Sequence, residues 1–101
     1  MITRFEWDAA KAADNLRKHR VSFETAIRAF ADPSPSPNWI VHEGGEERWQ
    51  TIGFVEGYLL LLVAHAIREE DEDSEPVEVI RIISARPADR KERRRYEQEI
   101  R

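Results

Sequence analysis

The chain contains no cysteine among its 101 residues, which excludes disulfide bonds and thiolate metal sites. It also lacks a long apolar run, because the longest, YLLLLVAHAI, is far shorter than the ~20 residues that span a bilayer. Charges at Arg4, Glu6 and Asp8 interrupt the place where a signal peptide needs an apolar stretch. With 41% apolar residues, the composition predicts one soluble, cytoplasmic domain over residues 1–101.

Several sequence signatures of enzymes are missing as well. There is no nucleophile elbow, zinc-protease motif or dinucleotide-binding fingerprint, and no internal repeat. His42, Glu43, Glu46 and Glu47 lie close together, but their spacing matches no known ligand pattern. We therefore expect neither a metal site nor a cofactor.

The charges are distributed unevenly along the chain. The net charge of −4 argues weakly against a nucleic-acid partner, but residues 69–75, EEDEDSE, hold six of the 20 acidic residues. From residue 81 to residue 101 there are eight basic residues and four acidic ones. The sequence thus predicts a solvated, mobile acidic loop and a separate basic end.

The apolar periodicity predicts an α+β domain. Asp8 and Ser22 are candidate N-caps for two N-terminal helices, and the proline-rich segment 32–38 follows them. Strand-like runs then alternate with turn signals at Gly44-Gly45 and Glu56-Gly57, which indicates an antiparallel sheet of about four strands. Asp89 can cap a C-terminal helix.

The C-terminal helix has two interpretations. A helix rich in arginine and glutamate can simply be solvated and supported by Glu–Arg pairs. Alternatively, Arg90, Arg94 and Arg95 form a phosphate-binding surface, because the guanidinium fork matches phosphate oxygens. Tyr96 belongs to that surface or packs the helix onto the domain.

A second basic group flanks the acidic segment. Arg68 precedes it, and Arg81 and Arg86 follow it. If the two strand-like runs form a hairpin, these arginines and His65 could meet on one sheet face and stabilise a pentacoordinate phosphorane. A histidine in so apolar a strand is by default a core residue, although it could also exchange a proton with a sugar hydroxyl.

Two long blocks resemble the BrnT-type toxins of type II toxin–antitoxin systems. They are FEWDAAKAADNLRKHRVSFETAIRAFADP, residues 5–33, and VIRIISARPADRKERRRYE, residues 79–97. GEERWQTIG and VAHAIRE are similar to weaker central motifs of that family. The chain departs from the family pattern at Arg20, where glycine is common, and at Ala66, where threonine is common.

The resemblance implies a RelE-like fold and a metal-independent ribonuclease that arrests translation. It also implies neutralisation by a BrnA-type antitoxin and binding of promoter DNA through the antitoxin complex. The residues carried over from the central and closing motifs are His65, Arg68, Glu47, Arg48, Arg81, Ser84, Arg86, Glu92, Arg93 and Tyr96.

Two functional hypotheses follow. In the first, the chain is an endoribonuclease in which the RNA 2′-hydroxyl attacks the adjacent phosphorus, with His65 or Glu47 as the base. Its phosphate would be held by Arg48, Arg68, Arg81 and Arg86, while Arg90, Arg94 and Arg95 attract the RNA backbone. In the second, the chain is a non-catalytic binding module whose basic helix engages an antitoxin or operator DNA.

Overall fold

A computed structural model describes the backbone of residues 2–32, 38–43 and 46–99, and the side chains of the same ranges except 38–43 and 46–47. The predicted turn at Gly44-Gly45 and residues 33–37 of the proline-rich segment lie outside the described residues. None of the described helices is long and apolar enough to cross a membrane.

The described strands form one five-stranded sheet with the order β1-β5-β4-β3-β2. The strands are β1 (Ile2–Glu6), β2 (Asn38–Glu43), β3 (Glu46–Val55), β4 (Leu59–Glu72) and β5 (Glu75–Pro87). β2 to β5 form an antiparallel meander, whereas β1 pairs with β5 in parallel. The sheet is therefore mixed, and the predicted α+β class is confirmed.

Strand β1 corrects the predicted element order, which began with helices. Residues 2–6 pair at the sheet edge with residues 77–81, far along the chain. Phe5 joins the core below the helices, while Arg4 and Glu6 point to the other face of the sheet. A five-residue strand whose only partner is so distant in sequence has little local signal.

Among the described residues, three helices and one 3₁₀ turn accompany the sheet. They are α1 (Ala9–His19), α2 (Phe23–Ile27), the 3₁₀ turn (Arg28–Ala31) and α3 (Arg90–Glu99). The side chain of Asp8 accepts from the Lys11 amide at 3.0 Å and that of Ser22 from the Thr25 amide at 3.0 Å. These hydrogen bonds satisfy amides of the first helical turn, as N-caps do.

Apolar residues fill both sides of the sheet. On one side, α1, α2 and the 3₁₀ turn cover a core that includes Phe23, Leu61 and Ile82. The 3₁₀ turn lies so close to β3 that a Cβ at Gly53 would collide with the Ala29 carbonyl oxygen. On the other side, α3 covers a smaller core of Ile52, Leu60, Leu62 and Tyr96, with Phe54 and Ala88 packed against it.

The acidic segment is not the mobile loop that its composition predicted. β4 continues to Glu72, β5 begins at Glu75, and the turn between them has positive φ at Asp73 (50°) and Ser74 (67°). Two consecutive residues with positive φ match the twist of a tight hairpin. The cross-strand backbone bonds extend the sheet through this segment, and two arginines described below offset its charge.

Candidate functional site

The sheet presents one face to α1 and α2 and another, only partly covered by α3, to the surroundings. Because side chains alternate along a strand, the second face carries Arg48 and Gln50 of β3 and Ala64 and Ala66 of β4. From β5 it carries Arg81, which pairs with Ala66. We call this surface the open sheet face; it also includes Arg68, Ser84 and Arg86.

A register shift in β5 decides which arginines share this face. Simple alternation would place Arg81 and Arg86, five residues apart, on opposite sides of the sheet. The β4–β5 pairing shifts between Ala64 and His65, where β5 contains one extra residue, Ile83. This β-bulge reverses the alternation. As a result, Arg81 and Arg86 both lie on the open sheet face.

His65 lies on the other face, contrary to the prediction that it meets the arginines. Its ring is 1% exposed and contacts Phe30 edge-on, with 5.0 Å between the ring centroids. Nε2 lies 2.9 Å from the hydroxyl oxygen of Thr51, and Nδ1 has no hydrogen-bond partner among the described residues. Burial lowers the pKa of His65 from 6.5 to about 4. The imidazole is therefore neutral and enclosed in the core at neutral pH.

The guanidinium of Arg68 is held by two carboxylates. Its two terminal nitrogens donate to the carboxylate oxygens of Glu6 at 2.6 and 2.9 Å, and Nε donates to Glu70 at 2.7 Å. The hydrogen bond from Arg68 holds the pKa of Glu6 below its usual range, and the charge of Arg81 acts in the same direction. Although Arg68 is exposed, its fork is fully engaged.

A second set of ion pairs continues this arrangement towards the hairpin turn. Arg4 of β1 contacts Glu70 at 3.0 Å and also contacts Glu72. These side chains extend from β1 to β4 across β5, where Val77 and Val79 are almost completely buried. The aliphatic stems of arginines cover apolar surface efficiently. The ion pairs thus connect the edge strand to the centre of the sheet.

Arg81 differs from Arg68 although the two are neighbours. It is exposed, and it forms no ion pair with any carboxylate that the structure describes. Together with Ala66, Ile67 and Arg68 it lines a cavity of about 180 Å³. Its charge acts on Glu6, its partner in the β1–β5 register. Arg81 is therefore a cation on the open sheet face that is available to an incoming anion.

Arg86 forms part of the junction between β5 and α3. Its guanidinium donates two hydrogen bonds to Glu92, at 2.8 and 2.7 Å. Glu92 also accepts from the Asp89 amide at 2.9 Å, and Asp89 accepts from the Glu92 amide at 2.8 Å. This reciprocal pair is a capping box. Asp89 begins the helix as predicted, and Arg86 fixes the helix to the strand.

The remaining strand candidates are on β3. Arg48 is half-buried, and its backbone pairs with Val41 of β2. Glu47 pairs with His42 in the same ladder, while its side chain lies outside the described residues.

Helix α3 separates its predicted RNA-binding residues into two groups. Arg90 and Arg94 are exposed and Arg95 is half-buried. Tyr96 is 1% exposed, and its hydroxyl donates to Asp32 at 2.6 Å. Its ring meets Phe54 edge-on, with 5.3 Å between the centroids. The structure therefore uses Tyr96 to pack α3 onto the sheet, whereas Arg90 and Arg94 point outward.

The family of BrnT ribonuclease toxins of type II toxin–antitoxin systems matches residues 7–92 of the chain. The chain belongs to this family. Its fold is similar to that of the Brucella abortus ribonuclease toxin BrnT, known from a crystal structure at 1.1 Å resolution. The TM-score is 0.54 at 20% identity, over 89% of this chain and 100% of the Brucella chain. No curated protein matches the sequence.

Several residues that shape this BrnT-family site were not found from the sequence. Glu6 and Glu70 pair with Arg68, Thr51 contacts His65, and Asp32 receives the hydroxyl of Tyr96. Asn15 is buried; its side-chain amide donates to the Ala85 carbonyl of β5 at 2.8 Å and accepts from the Ala85 N–H at 3.1 Å.

Proposed function

We propose that this BrnT-family toxin is an endoribonuclease of RelE-like fold that cleaves RNA without a metal ion at the open sheet face. The observation that carries the proposal is Arg81, an exposed guanidinium without a described carboxylate partner, beside a cavity on that face. Arginine matches phosphate oxygens geometrically and supplies fixed positive charge. Such charge serves a reaction in which negative charge develops on phosphorus.

In the proposed reaction, the 2′-oxygen of the RNA forms a bond to the adjacent phosphorus while the bond to the 5′-oxygen breaks. The 2′-hydroxyl loses its proton to a base, and the leaving 5′-oxygen gains one. The products are a 2′,3′-cyclic phosphate and a free 5′-hydroxyl. Arg81 binds the non-bridging oxygens throughout, and Arg48 on the same face adds positive charge.

His65 is not placed to accept the proton in this reaction. His65 is almost completely buried, and it lies on the opposite side of the sheet from Arg81. A general base must come within hydrogen-bond reach of the proton that it removes. In the proposal, His65 supports the core through Thr51 and Phe30, and the proton of the 2′-hydroxyl passes to a water molecule at the open sheet face.

Arg68 and Arg86 have different places in the proposal. Arg86 positions α3 through Glu92, and it acts on catalysis by holding that helix in place. Arg68 flanks the cavity with Arg81, but its carboxylate partners have to move before it can bind phosphate. Arg90, Arg94 and Arg95 contribute a longer-range attraction for the RNA backbone. Tyr96 acts by packing that helix in place.

We also propose that a BrnA-type antitoxin neutralises the toxin and that the complex binds its own promoter DNA through the antitoxin. Membership of a type II toxin–antitoxin family supports a protein partner. Expression with and without the neighbouring open reading frame tests this pairing. Growth arrest that the neighbour relieves supports it, and arrest that persists in the presence of a co-purifying neighbour contradicts it.

A non-catalytic binding module is the second candidate. It is favoured by the carboxylates that engage Arg68 and Arg86 and by the burial of His65. Incubation of RNA with purified protein in EDTA separates the two candidates. Cleavage that produces 2′,3′-cyclic ends supports the endoribonuclease. Intact RNA, together with retained binding of the antitoxin or operator DNA, supports the module. Cleavage that occurs without EDTA and disappears in its presence contradicts metal independence.

A further inference from the structure

We propose that Glu6 and Glu70 restrict phosphate binding on the open sheet face to the Arg81 side, by occupying Arg68 with carboxylates that RNA has to displace. This inference rests on the proposed RNA-binding function of that face. It concerns the path and strength of RNA binding and assigns Glu6 and Glu70 no part in bond cleavage.

The geometry of Arg68 carries the inference. A guanidinium binds phosphate best through two parallel N–H donors. At Arg68 those donors both contact Glu6, and Nε contacts Glu70. The carboxylates thus occupy the same positions that two phosphate oxygens and a further acceptor would use. An RNA phosphate can bind Arg68 through two parallel donors only by displacing at least one of the carboxylates.

Arg81 provides the contrast within the same cavity. It is on the adjacent strand and lines the cavity with Arg68, yet it has no described ion-pair partner. Two arginines at one cavity therefore present different electrostatic surfaces: two carboxylates hydrogen-bond Arg68, whereas Arg81, among the described carboxylates, is affected only by the nearby charge of Glu6. Because phosphate affinity follows the positive charge that is available, the RNA backbone is directed towards Arg81 and away from the β1 edge.

The ion pairs around Arg68 also have a structural effect, since they connect β1 with β4. Exposed pairs of this kind contribute about 0–1 kcal/mol each to stability. A structural role alone predicts that removal of the carboxylates changes stability and leaves RNA affinity unaltered. Competition with phosphate predicts that the same change increases RNA affinity, and that the increase depends on Arg68.

The test measures binding of a short 2′-O-methyl RNA, which cannot be cleaved because it lacks the attacking hydroxyl. The test variant is Glu6→Gln with Glu70→Gln, alone and combined with Arg68→Gln. Its matched control is Glu69→Gln with Asp71→Asn, which removes the same charge from exposed residues of the neighbouring hairpin on the opposite face. Urea unfolding verifies that each variant is folded, and Glu70→Gln alone replaces the double variant if β1 detaches.

We expect the Glu6/Glu70 variant to bind several-fold more tightly than the wild type. Its slope of log K against log salt should steepen by about 0.7, the value for one additional phosphate contact on a single strand. Arg68→Gln should abolish this gain when it is added to the Glu6/Glu70 variant. The opposite-face control should change affinity much less.

Two outcomes overturn the inference: unchanged affinity in the Glu6/Glu70 variant, or a gain that persists without Arg68. The second outcome would show a general charge effect. Failure of the proposed function is distinguishable, because the wild type would then not bind the oligonucleotide, or Arg81→Gln would bind it as tightly as the wild type does.

Discussion

Nε2 of His65 lies 2.9 Å from the hydroxyl oxygen of Thr51, across the β3–β4 ladder and inside the core. The contact lies on the side of the sheet opposite the arginines of the open sheet face, because side chains alternate along β4. Catalysis in this toxin is therefore attributed to a cationic surface on one side of the sheet. The histidine of the neighbouring strand stabilises the other side.

The buried histidine predicts that the fold is sensitive to acid. The pKa of His65 is about 4 in the folded chain against an ordinary 6.5, so between these values the unfolded chain binds a proton that the folded chain does not. The contribution of neutral His65 to the free energy of unfolding is fully present above pH 6.5. It decreases as the pH falls towards 4, by about 3 kcal/mol at most. Urea unfolding between neutral pH and pH 4 measures this decrease.

The variant His65→Gln provides the control for that series. It keeps a polar group beside Thr51 but cannot titrate. We expect lower stability at neutral pH and a flatter dependence between pH 6.5 and 4. An unchanged slope in this variant would mean that other groups cause the acid sensitivity.

A second prediction concerns the phenol that attaches α3 to the sheet. Tyr96→Phe removes the hydrogen bond to Asp32 and should lower stability by about 1–2 kcal/mol. Tyr58→Phe is the matched control, because Tyr58 is 75% exposed and should change stability little. Binding of RNA by folded Tyr96→Phe should remain close to that of the wild type. A large loss of RNA affinity without a loss of stability would return Tyr96 to the binding surface.

The capping box at the start of α3 predicts the effect of removing Glu92. Glu92→Ala removes the hydrogen bonds to Arg86 and to the Asp89 amide, and should cost about 1–3 kcal/mol in the free energy of unfolding. Glu97→Ala, at an exposed position of the same helix, is the control. Equal stabilities of the two variants would contradict the role assigned to Glu92.

The lowered pKa of Glu92 predicts how its contribution to stability depends on pH. The hydrogen bond from Arg86 holds the pKa of Glu92 below 4.5. Its stabilisation is therefore present above pH 4.5 and is lost as the pH falls through the lowered value. This loss occurs below most of the His65 window, and Glu92→Ala should lack it.

The end of α1 predicts a stabilising substitution. Arg20 has φ 60° and ψ 24°, a left-handed conformation that glycine adopts without steric cost. Arg20→Gly should raise stability by up to about 1 kcal/mol. Ala13→Gly, at an exposed position inside α1, should lower stability by a similar amount, about 1 kcal/mol. Thermal unfolding of the two variants measures these opposite shifts, and a destabilised Arg20→Gly would contradict the prediction.

The parts of the fold that could be predicted are those with local signals. Asp8, Ser22 and Asp89 are polar residues just before helical patterns, and each caps its helix. The Glu56-Gly57 turn also followed from its sequence, and both residues have positive φ, 56° and 79°. These features depend on a few neighbouring residues.

The parts that could not be predicted depend on distant partners. Strand β1 exists because residues 77–81 lie beside it, and composition alone favoured a loop for the acidic residues that extend β4 and β5. The bulge at Ile83 is a single extra residue in one strand. It nevertheless determines that Arg81 and Arg86 share a face.

In the proposed mechanism, Arg81 on the open sheet face supports RNA cleavage without a metal ion. The most direct test is the cleavage rate of purified wild type and Arg81→Gln on one RNA in EDTA, with unfolding curves to verify the fold of both. The wild type should form 2′,3′-cyclic phosphate ends, and Arg81→Gln should be slower by about 100-fold or more, as for loss of one transition-state donor. Equal rates for the two proteins would contradict the claim.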